Sequence, residues 1–372
     1  MSEVIVRRAS YDYPELKELV HQMLERLIPG GIEWGSRVII KPNLLGPAPP
    51  EKAIVTHPLV VRAVAEYVIG KGARAQISDS PAMGTFTRVM RESGILAAVE
   101  GLDVECREFT VSTTVDIGEP FGRVEVARDA LEADVLINLP KLKTHTQMLL
   151  TLGVKNLFGC IVGFRKPQWH FRAGVDREMF ALLLVRVHNR LKPAVTLLDG
   201  ILAMEGEGPG NGGVPRHIGV VLGSRDALAL DAVVCNMFGL PVDALPTIRA
   251  AGRAGLLSGA FDLDGELVRV PDFKIPQMVP LVFGPPCFHS ILRRHLVQRP
   301  VLKRGQPCRA CGDCRRYCPA GAIVQGKDKV LFDYDKCIRC YCCIEVCPHG
   351  VLGTEEPLLG RIVNRVMKMK RR

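Results

Sequence analysis

The chain has 372 residues, of which 47% are hydrophobic and 24% charged, an ordinary balance for a soluble globular protein. No stretch reaches the ~18 apolar residues that cross a bilayer, and the N-terminus MSEVIVRRASYDYPE has acids and arginines where a signal peptide needs an apolar segment. A cytoplasmic location is therefore expected. The net charge of +10 is concentrated in residues 301–372, which carry 15 Lys and Arg against 7 Asp and Glu.

The first 270 residues alternate short β-rich runs with helical patterns. The predicted strands are Val4–Arg8, Arg37–Ile40, Arg74–Ser78, Val104–Phe109, Val135–Leu139, Ala194–Leu198 and Ile218–Leu222. The predicted helices are Tyr13–Leu27, Pro58–Gly70, Phe86–Val99, Met179–Leu191 and Ala227–Phe238. Alternation of this kind predicts an α/β domain over residues 1–270, with a mostly parallel sheet and helices on both faces.

Polar and charged residues follow five of these strands. They include Lys41, Asn43, Asp79, Lys141, Lys143, His145, Asp199, Glu205, Ser224 and Asp226. Each alone is typical of a cap, a turn or a salt bridge. Because ligands of open α/β sheets bind at the carboxyl ends of the strands, we expect these residues together to form a polar cleft.

The lysines of this cleft suit a carboxylate or phosphate ligand. In this interpretation Lys41, Lys141 and Lys143 bind the anion. His145 supplies a proton because its intrinsic pKa lies nearest neutrality; a histidine that starts a helix and bonds to backbone fits the sequence equally well. Asp199 and two further acids, Asp79 and Glu205, can orient the cations, hold a metal or move protons.

Three further residues have two open interpretations each. Lys155 and Asn156 either line the same cleft or end a helix. His170, in the aromatic segment W-H-F, either closes over the cleft or packs in a surface loop.

A glycine-rich segment matches G-x-G-x-x-G at Gly208, Gly210 and Gly213, but it does not fit a dinucleotide site. A strand-like run follows it instead of a helix, and prolines interrupt it. We interpret the segment as a loop that can approach a ligand closely.

Eight of the thirteen cysteines form two C-x2-C-x2-C-x3-C runs, each followed by proline. In this spacing three thiolates of one run and the fourth of the other hold each [4Fe–4S] cluster. The predicted ligand sets are Cys308, Cys311, Cys314 and Cys347, and Cys337, Cys340, Cys343 and Cys318. Zinc is disfavoured because zinc sites usually combine pairs of cysteines.

The remaining cysteines are given no ligand role. Cys106, Cys160 and Cys235 lie in apolar surroundings and are expected to be buried. Cys342 lies inside the second run but out of its register.

The C-terminal third divides into three parts. Residues 271–300 are rich in proline and are expected to be a linker, residues 301–356 contain the cysteine runs, and residues 357–372 form a basic tail. The tail is either a solvated terminal helix or a contact with an acidic protein or anionic membrane surface. No aromatic interleaving or known motif accompanies the charge, so nucleic acid is not an expected partner.

Several motifs resemble those of one family. They are K-P-N-L (Lys41–Leu44), T-H-P (Thr56–Pro58), D-S-P (Asp79–Pro81), L-P-K-L-K-T-H (Leu139–His145), V-K-N-L-F-G (Val154–Gly159), D-G-I-x-A-M-E-G-x-G-P (Asp199–Pro209) and S-R-D-A-L-A-L-D (Ser224–Asp231). Over residues 35–240 the chain resembles the family called domain of unknown function 362. The C-terminal part resembles the two-cluster bacterial ferredoxin domain. The resemblance implies that the K-P-N, K-x-K-T-H and D-G/E-G-x-G-P segments share one site.

The leading hypothesis is a redox enzyme that passes electrons from two [4Fe–4S] clusters to an anionic small-molecule substrate in the α/β cleft, with a redox partner protein. The alternative is a ferredoxin-like carrier whose large domain docks a partner or senses a ligand. A purely structural role for the clusters is a third possibility.

Overall fold

The computed structural model describes residues 2–163, 165–173, 176–257, 259–276, 294–327 and 329–361. Its strands are β1 Ser2–Arg8, β2 Arg37–Pro42, β3 Arg74–Ile77, β4 Val104–Cys106, β5 Ser112–Asp116, β6 Arg123–Ala127, β7 Val135–Leu139, β8 Lys141–His145, β9 Leu149–Thr151, β10 Val195–Gly206, β11 Gly213–Ser224, β12 Phe261–Asp264, β13 Arg299–Leu302, β14 Ile323–Gln325, β15 Val330–Phe332 and β16 Leu352–Glu355. Its α-helices are α1 Tyr13–Leu27, α2 Pro58–Gly70, α3 Phe86–Glu92, α4 Ile95–Ala98, α5 Arg128–Leu131, α6 Gly153–Asn156, α7 Arg165–Ala173, α8 Arg177–Leu191, α9 Ala227–Met237, α10 Pro246–Arg253, α11 Asp313–Arg316 and α12 Cys342–Glu345.

A ten-stranded sheet forms the centre of the large domain, with the order β12-β1-β11-β10-β7-β2-β3-β4 and with β8 and β9 added beside β10. The run β10-β7-β2-β3-β4 is parallel throughout. Strand β11 runs antiparallel to both β10 and β1. The predicted mostly parallel sheet is confirmed.

Helices cover both faces of this sheet, as predicted. One apolar core includes side chains of α1 and α2, and the other includes side chains of α8, α9 and α10. The central strand β2 is apolar at Val38, Ile39 and Ile40, all fully buried, as expected for a parallel strand between two helical layers.

Local signals explain where the main helices begin and end. Proline lies in the first turn of α1 and of α2, where its missing N–H costs nothing. The Asp226 carboxylate accepts the N–H groups of Leu228 and Ala229 at the start of α9. The predicted helix over residues 86–99 is instead two helices, because Gly94 adopts a positive φ of 78° between them.

For His145 and His170 the sequence left two interpretations open, and the structure excludes one of each. Lys141–His145 forms strand β8, which pairs with both β9 and β10, so His145 does not start a helix. His170 lies in helix α7 and is buried, so it does not belong to a surface loop.

The C-terminal module is small and held together by short pairings. Strand β13 pairs with β16, β14 pairs with β15, and two single-turn helices carry cysteines. Arg299 and Pro300, which the sequence analysis placed in the linker, begin a strand of this module. Most of the linker and most of the basic tail lie outside the described residues. Within the described parts of the chain, every helix is too short or too polar to cross a membrane.

Candidate functional site

A cavity of about 280 Å³ lies at the carboxyl ends of the central strands and is lined by both parts of the molecule. The large domain contributes Asn43, Asp79, Ser80, Glu108, Lys143, Thr151, Lys155, Asn156, Phe158, Lys166 and His170. The C-terminal module contributes Arg316, Tyr317, Cys342, Glu345 and Val346. The residues predicted or considered for the cleft that line it are Asn43, Asp79, Lys143, Lys155, Asn156 and His170.

Lys41 forms a buried ion pair with Asp79, which lines the cavity. Lys41 Nζ lies 2.9 Å from Asp79 Oδ1 and donates to the Pro42 carbonyl at 3.0 Å. A side chain at Gly159 would place its Cβ only 2.1 Å from Asp79 Oδ1, so this position requires glycine. The Lys41 ammonium is thus engaged by the protein and supports the wall, whereas the sequence analysis had it binding the anion directly.

A chain of amide groups holds Lys143. Its Nζ donates to Asn43 Oδ1 at 2.8 Å and to the Ile54 carbonyl at 2.6 Å. Asn43 in turn donates to Asn156 Oδ1, and Asn156 donates to Asn138 Oδ1, both at 2.8 Å. Burial, and then the charge of a neighbouring lysine, holds the pKa of Lys143 well below its usual range.

Lys155 is the cation best placed to meet a ligand. It lines the cavity, and its Nζ makes no hydrogen bond or ion pair with any residue that the structure describes. Burial lowers its pKa, while the nearby Glu345 carboxylate and Cys342 thiol act in the opposite direction. Lys166 also lines the cavity, but it donates to the carbonyl and hydroxyl of Ser80 at 2.7 and 3.0 Å.

His145 does not line the cavity, but it orients a residue that does. Its Nδ1 accepts the backbone N–H groups of Gln147 and Met148, which leaves the proton on Nε2. Nε2 faces Glu345 Oε1 at 3.0 Å. Burial, reinforced by the Lys155 charge, lowers the pKa of His145 to about 4, so the ring is neutral at neutral pH.

Glu345 brings a negative charge from the C-terminal module into this cationic wall. Burial alone would raise the pKa of its carboxyl, but His145, Lys155 and His170 lower it to about 2. The carboxylate is therefore ionised at neutral pH. Two more polar atoms of the cavity wall, Thr151 Oγ1 and His170 Nδ1, are buried with no hydrogen-bond partner among the described residues. Unpaired buried polar atoms at a cavity indicate a ligand or solvent site.

Lys141 and Asp199 were predicted to lie in the cleft, but the structure does not place them in the cavity wall. They are opposite each other in the pairing of β8 with β10, and Lys141 Nζ lies 2.7 Å from Asp199 Oδ2 in an ion pair. Both side chains are fully buried. Asp199 also accepts the Tyr11 hydroxyl and the His57 backbone N–H, each at 2.9 Å. This network ties the N-terminal segment and the start of α2 to the sheet.

Glu205 also lies away from the cavity, although the sequence analysis proposed it as catalytic. It projects from β10 and contacts Arg216 at 3.2 Å on the paired strand β11. It also accepts the backbone N–H of Lys274 at 3.1 Å. Strand β10 continues to Gly206, past the predicted strand end at Leu198, and so carries Glu205 along the hairpin and out of the cleft.

The cysteines of the C-terminal module surround two small cavities. One is ringed by Cys308, Cys311, Cys314 and Cys347, and the other by Cys318, Cys337, Cys340 and Cys343. Each combines three cysteines of one run with the fourth of the other, which is the grouping that the spacing predicts.

The donor set fits iron–sulfur clusters. Backbone N–H groups of Ala310 and Ala322 donate to the sulfurs of Cys308 and Cys318 at 3.4 and 3.3 Å, the kind of bond that stabilises cluster thiolates. In the described part of the chain no three His, Cys, Asp or Glu side chains converge on a point where one metal ion would bind. The four thiolates of each quartet surround a small cavity instead of one point, and this arrangement suits a cubane, whose four irons each take one thiolate.

Cys342 connects the second cysteine cavity with the polar cavity, because its side chain lines both. Its side chain lies beside the Cys340 sulfur and lowers the pKa of Cys340. The interaction with Cys340, together with burial, raises the pKa of Cys342 well above its ordinary value. Cys342 is thus a protonated thiol between a cluster ligand and the cleft.

The glycine-rich loop between β10 and β11 is where the C-terminal module docks. A Cβ at Gly210 would lie 2.6 Å from the Glu345 carbonyl oxygen, so only glycine lets helix α12 approach this closely. Asn211 Nδ2 donates to the Pro348 carbonyl at 3.1 Å. The close approach that the sequence analysis assigned to a ligand is made by the other module.

Residues 38–236, just over half of the chain, match the family model described as Domain of unknown function (DUF362). The chain belongs to the DUF362 family. Residues 307–351 match a 4Fe-4S dicluster domain, so the C-terminal module is an iron–sulfur electron-transfer domain that binds [4Fe–4S]. Both resemblances inferred from the motifs are confirmed.

The chain is similar to a thylakoid-associated protein of Synechocystis sp., with 38% identity over 291 residues that cover 76% of this chain and 90% of that protein. Its iron–sulfur part is similar to the electron transport protein HydN of Escherichia coli, with 34% identity over 62 residues, 16% of this chain and 35% of that protein. Among solved structures, the lactate racemase apoprotein of Thermoanaerobacterium thermosaccharolyticum aligns over 58% of this chain and 54% of its own, with a TM-score of 0.34 and 12% identity. A structural likeness at that level says nothing about activity.

The residues of the site that the sequence did not predict as members of it include Thr151, Lys166, Cys342 and Glu345. The last two lie within the second cysteine run, where the ligand spacing dominates the pattern. The extra cysteine between two ligand positions was the one available signal, because a residue inside the cluster-binding helix necessarily lies close to the cluster.

Proposed function

We propose that the protein is a redox enzyme in which a small anionic substrate binds in the cavity between the two modules and receives electrons there. Two [4Fe–4S] clusters, held by the cysteine quartets, would supply single electrons when bound. The observation that carries the proposal is the position of Cys342, whose side chain lines both the second cysteine cavity and the substrate cavity. A protein that only carried electrons would not need a cationic cavity at that point.

The anion is recognised by donors that the fold leaves unused. Lys155 offers an ammonium, and two other residues that line the cavity, Thr151 and His170, carry a buried hydroxyl and a buried ring nitrogen without a partner among the described residues. Lys143 adds a further amino group to the cavity wall at the end of its amide chain. A carboxylate or phosphate oxygen would satisfy these groups in a site where burial strengthens each charged hydrogen bond.

Reduction of a bound anion consumes protons, and Lys166 is placed to supply one. Burial, moderated by Asp79, lowers the pKa of Lys166 to about 8, so the side chain is protonated at pH 7 and near the optimum for an acid catalyst. His145 was the expected donor, but its ring is neutral. We infer that it acts as a positioning residue that holds the Glu345 carboxylate through Nε2–H.

The first test is to identify the small molecule that remains with anaerobically purified protein. Dithionite-reduced protein is then mixed with that molecule in a stopped-flow instrument, and cluster oxidation is followed by absorbance. Lys155→Met should weaken the apparent affinity at least tenfold while the electron paramagnetic resonance signals stay unchanged. The exposed Lys52→Met is the matched control. Equal behaviour of both variants and wild type would contradict the assigned anion site.

An electron-carrier function is the second candidate, and one observation favours it. The Cys311 side chain is exposed, so a partner can reach the first quartet from outside without involving the cavity. If the protein is such a carrier, Lys155→Met leaves electron delivery to a partner protein unchanged, and no retained molecule oxidises the reduced clusters.

A cytoplasmic location is our prediction, and the competing proposal is peripheral attachment to a membrane surface through the basic tail, motivated by the thylakoid-associated relative. Fractionation of cells at low and high salt separates the two, because a surface bound through basic residues releases the protein at high salt.

A further inference from the structure

The hairpin of β14 and β15 exposes an apolar pair. Val324 and Leu331 are 57% and 51% exposed and lie directly opposite each other in the strand register. Single exposed apolar residues are common on any surface, but two that touch across a hairpin form a patch. The patch adjoins the first cysteine run, because Gln325 Nε2 donates to the Ala310 carbonyl at 2.7 Å.

Unpaired cations surround this patch. Residues 303–330 contain seven Lys and Arg against two Asp, a formal charge of +5. Arg309, Lys327 and Lys329 are exposed, and none makes an ion pair with a residue in the described ranges. Arg309 also lines the cavity of the first quartet.

This face is also the exposed side of the electron-transfer module. Each quartet has two buried cysteines, and Cys318 and Cys337 of the second quartet are partly exposed, as Cys308 of the first is. Cys311 of the first quartet is the one ligand cysteine that is fully exposed. An external electron carrier therefore comes nearest to a cluster ligand at the first quartet.

We propose that these residues, the hairpin face (Arg309, Val324, Lys327, Lys329 and Leu331), form the docking surface for a small acidic electron-carrier protein. Complementary charge steers such a carrier towards the face, and the apolar pair supplies the contact that excludes water. The inference rests on the proposed function only in requiring that electrons enter or leave through the first quartet.

The test uses the intact, cluster-loaded protein under anaerobic conditions and an acidic bacterial two-[4Fe–4S] ferredoxin as the probe. Binding is measured on an optical biosensor over a series of KCl concentrations. Lys327→Glu combined with Lys329→Glu should raise the dissociation constant at least tenfold at low salt and flatten its salt dependence. Leu331→Ser should weaken binding at every salt concentration.

Arg190→Glu is the matched charge-reversal control. Arg190 is exposed near the end of α8, 13 residues and so about 20 Å along the helix from Arg177, which lies near Tyr341 of the C-terminal module. This variant should bind as wild type does. Unchanged electron paramagnetic resonance spectra show that each variant keeps its fold and clusters.

Three results overturn the proposal: no binding of the acidic ferredoxin by wild type, equal weakening by Arg190→Glu, or tighter binding of a basic cytochrome c. The docking test and the test of the proposed function can fail independently of each other. Failure of docking leaves oxidation of dithionite-reduced protein by the cavity ligand intact, whereas failure of the Lys155 test leaves docking intact.

Discussion

Replacement of Cys342 by alanine should lower the reduction potential of the cluster held by the second quartet. The Cys342 thiol lies beside the Cys340 sulfur, where it can donate a hydrogen bond, and donors to a ligand sulfur stabilise the reduced, more negative cluster. A net hydrogen bond is worth about 0.5–1.5 kcal/mol. Since 59 mV corresponds to a tenfold change for a one-electron couple, the expected decrease is about 20–65 mV.

The measurement is a potentiometric titration followed by electron paramagnetic resonance, which resolves the two clusters. Cys342→Ser keeps a donor and should hold the potential near that of wild type. Cys235→Ala changes a buried cysteine far from both quartets and should change neither potential. Two results would refute the reasoning: an unchanged potential in Cys342→Ala, or loss of the cluster, which would make Cys342 a ligand.

Three further predictions concern stability and the contact between the modules. Asp199→Asn leaves the buried Lys141 uncompensated and should reduce the free energy of unfolding by about 3–5 kcal/mol in anaerobic denaturant titrations. The exposed Asp272→Asn is the control and should reduce it by less than about 0.5 kcal/mol. A loss below about 1 kcal/mol in Asp199→Asn would show that the buried pair contributes little to stability. Gly210→Val should push helix α12 away from the loop because even a Cβ would lie 2.6 Å from the Glu345 carbonyl, so hydrogen exchange in α12 should accelerate, and unchanged exchange would contradict the docking geometry. Burial lowers the pKa of His170 to about 3, whereas the pKa of histidine in the unfolded chain is about 6.5. The unfolded chain therefore binds a proton more readily, so the contribution of His170 to stability is complete above pH 6.5 and is lost as the pH falls. At pH 5 the free energy of unfolding should have decreased by about 2 kcal/mol on this account. The free energy of unfolding of His170→Gln should lack this part of the acid dependence, and an identical pH profile would show that the ring titrates normally.

Much of the fold was predictable because its signals are local. Helix α1 was predicted at its observed bounds, since Pro14 suits a first turn and Leu16, Val20 and Leu24 recur on one face and are buried. The cysteine ligand groups were predictable for the same reason. Each run places its four cysteines within a dozen residues, so the spacing along the chain indicates which thiolates can bind the same cluster.

The prediction of polar residues at strand ends was right about the region and wrong about several partners. Lys141 and Lys143 are two residues apart on one strand, yet one is neutralised by Asp199 and the other reaches the cavity. Which lysine meets a carboxylate depends on the register between strands that lie some sixty residues apart in sequence. No local pattern contains that register.

The sequence alone determined the class of fold, the family and the iron–sulfur chemistry, because short-range spacing encodes each of them. Tertiary structure alone decided that the cleft is closed by the electron-transfer module, with Glu345 set against His145 and Cys342 between the two cavities. These contacts join residues about two hundred positions apart. They depend on how a glycine-rich loop and a single-turn helix fit together, and shape complementarity of that kind exists only once both surfaces have formed.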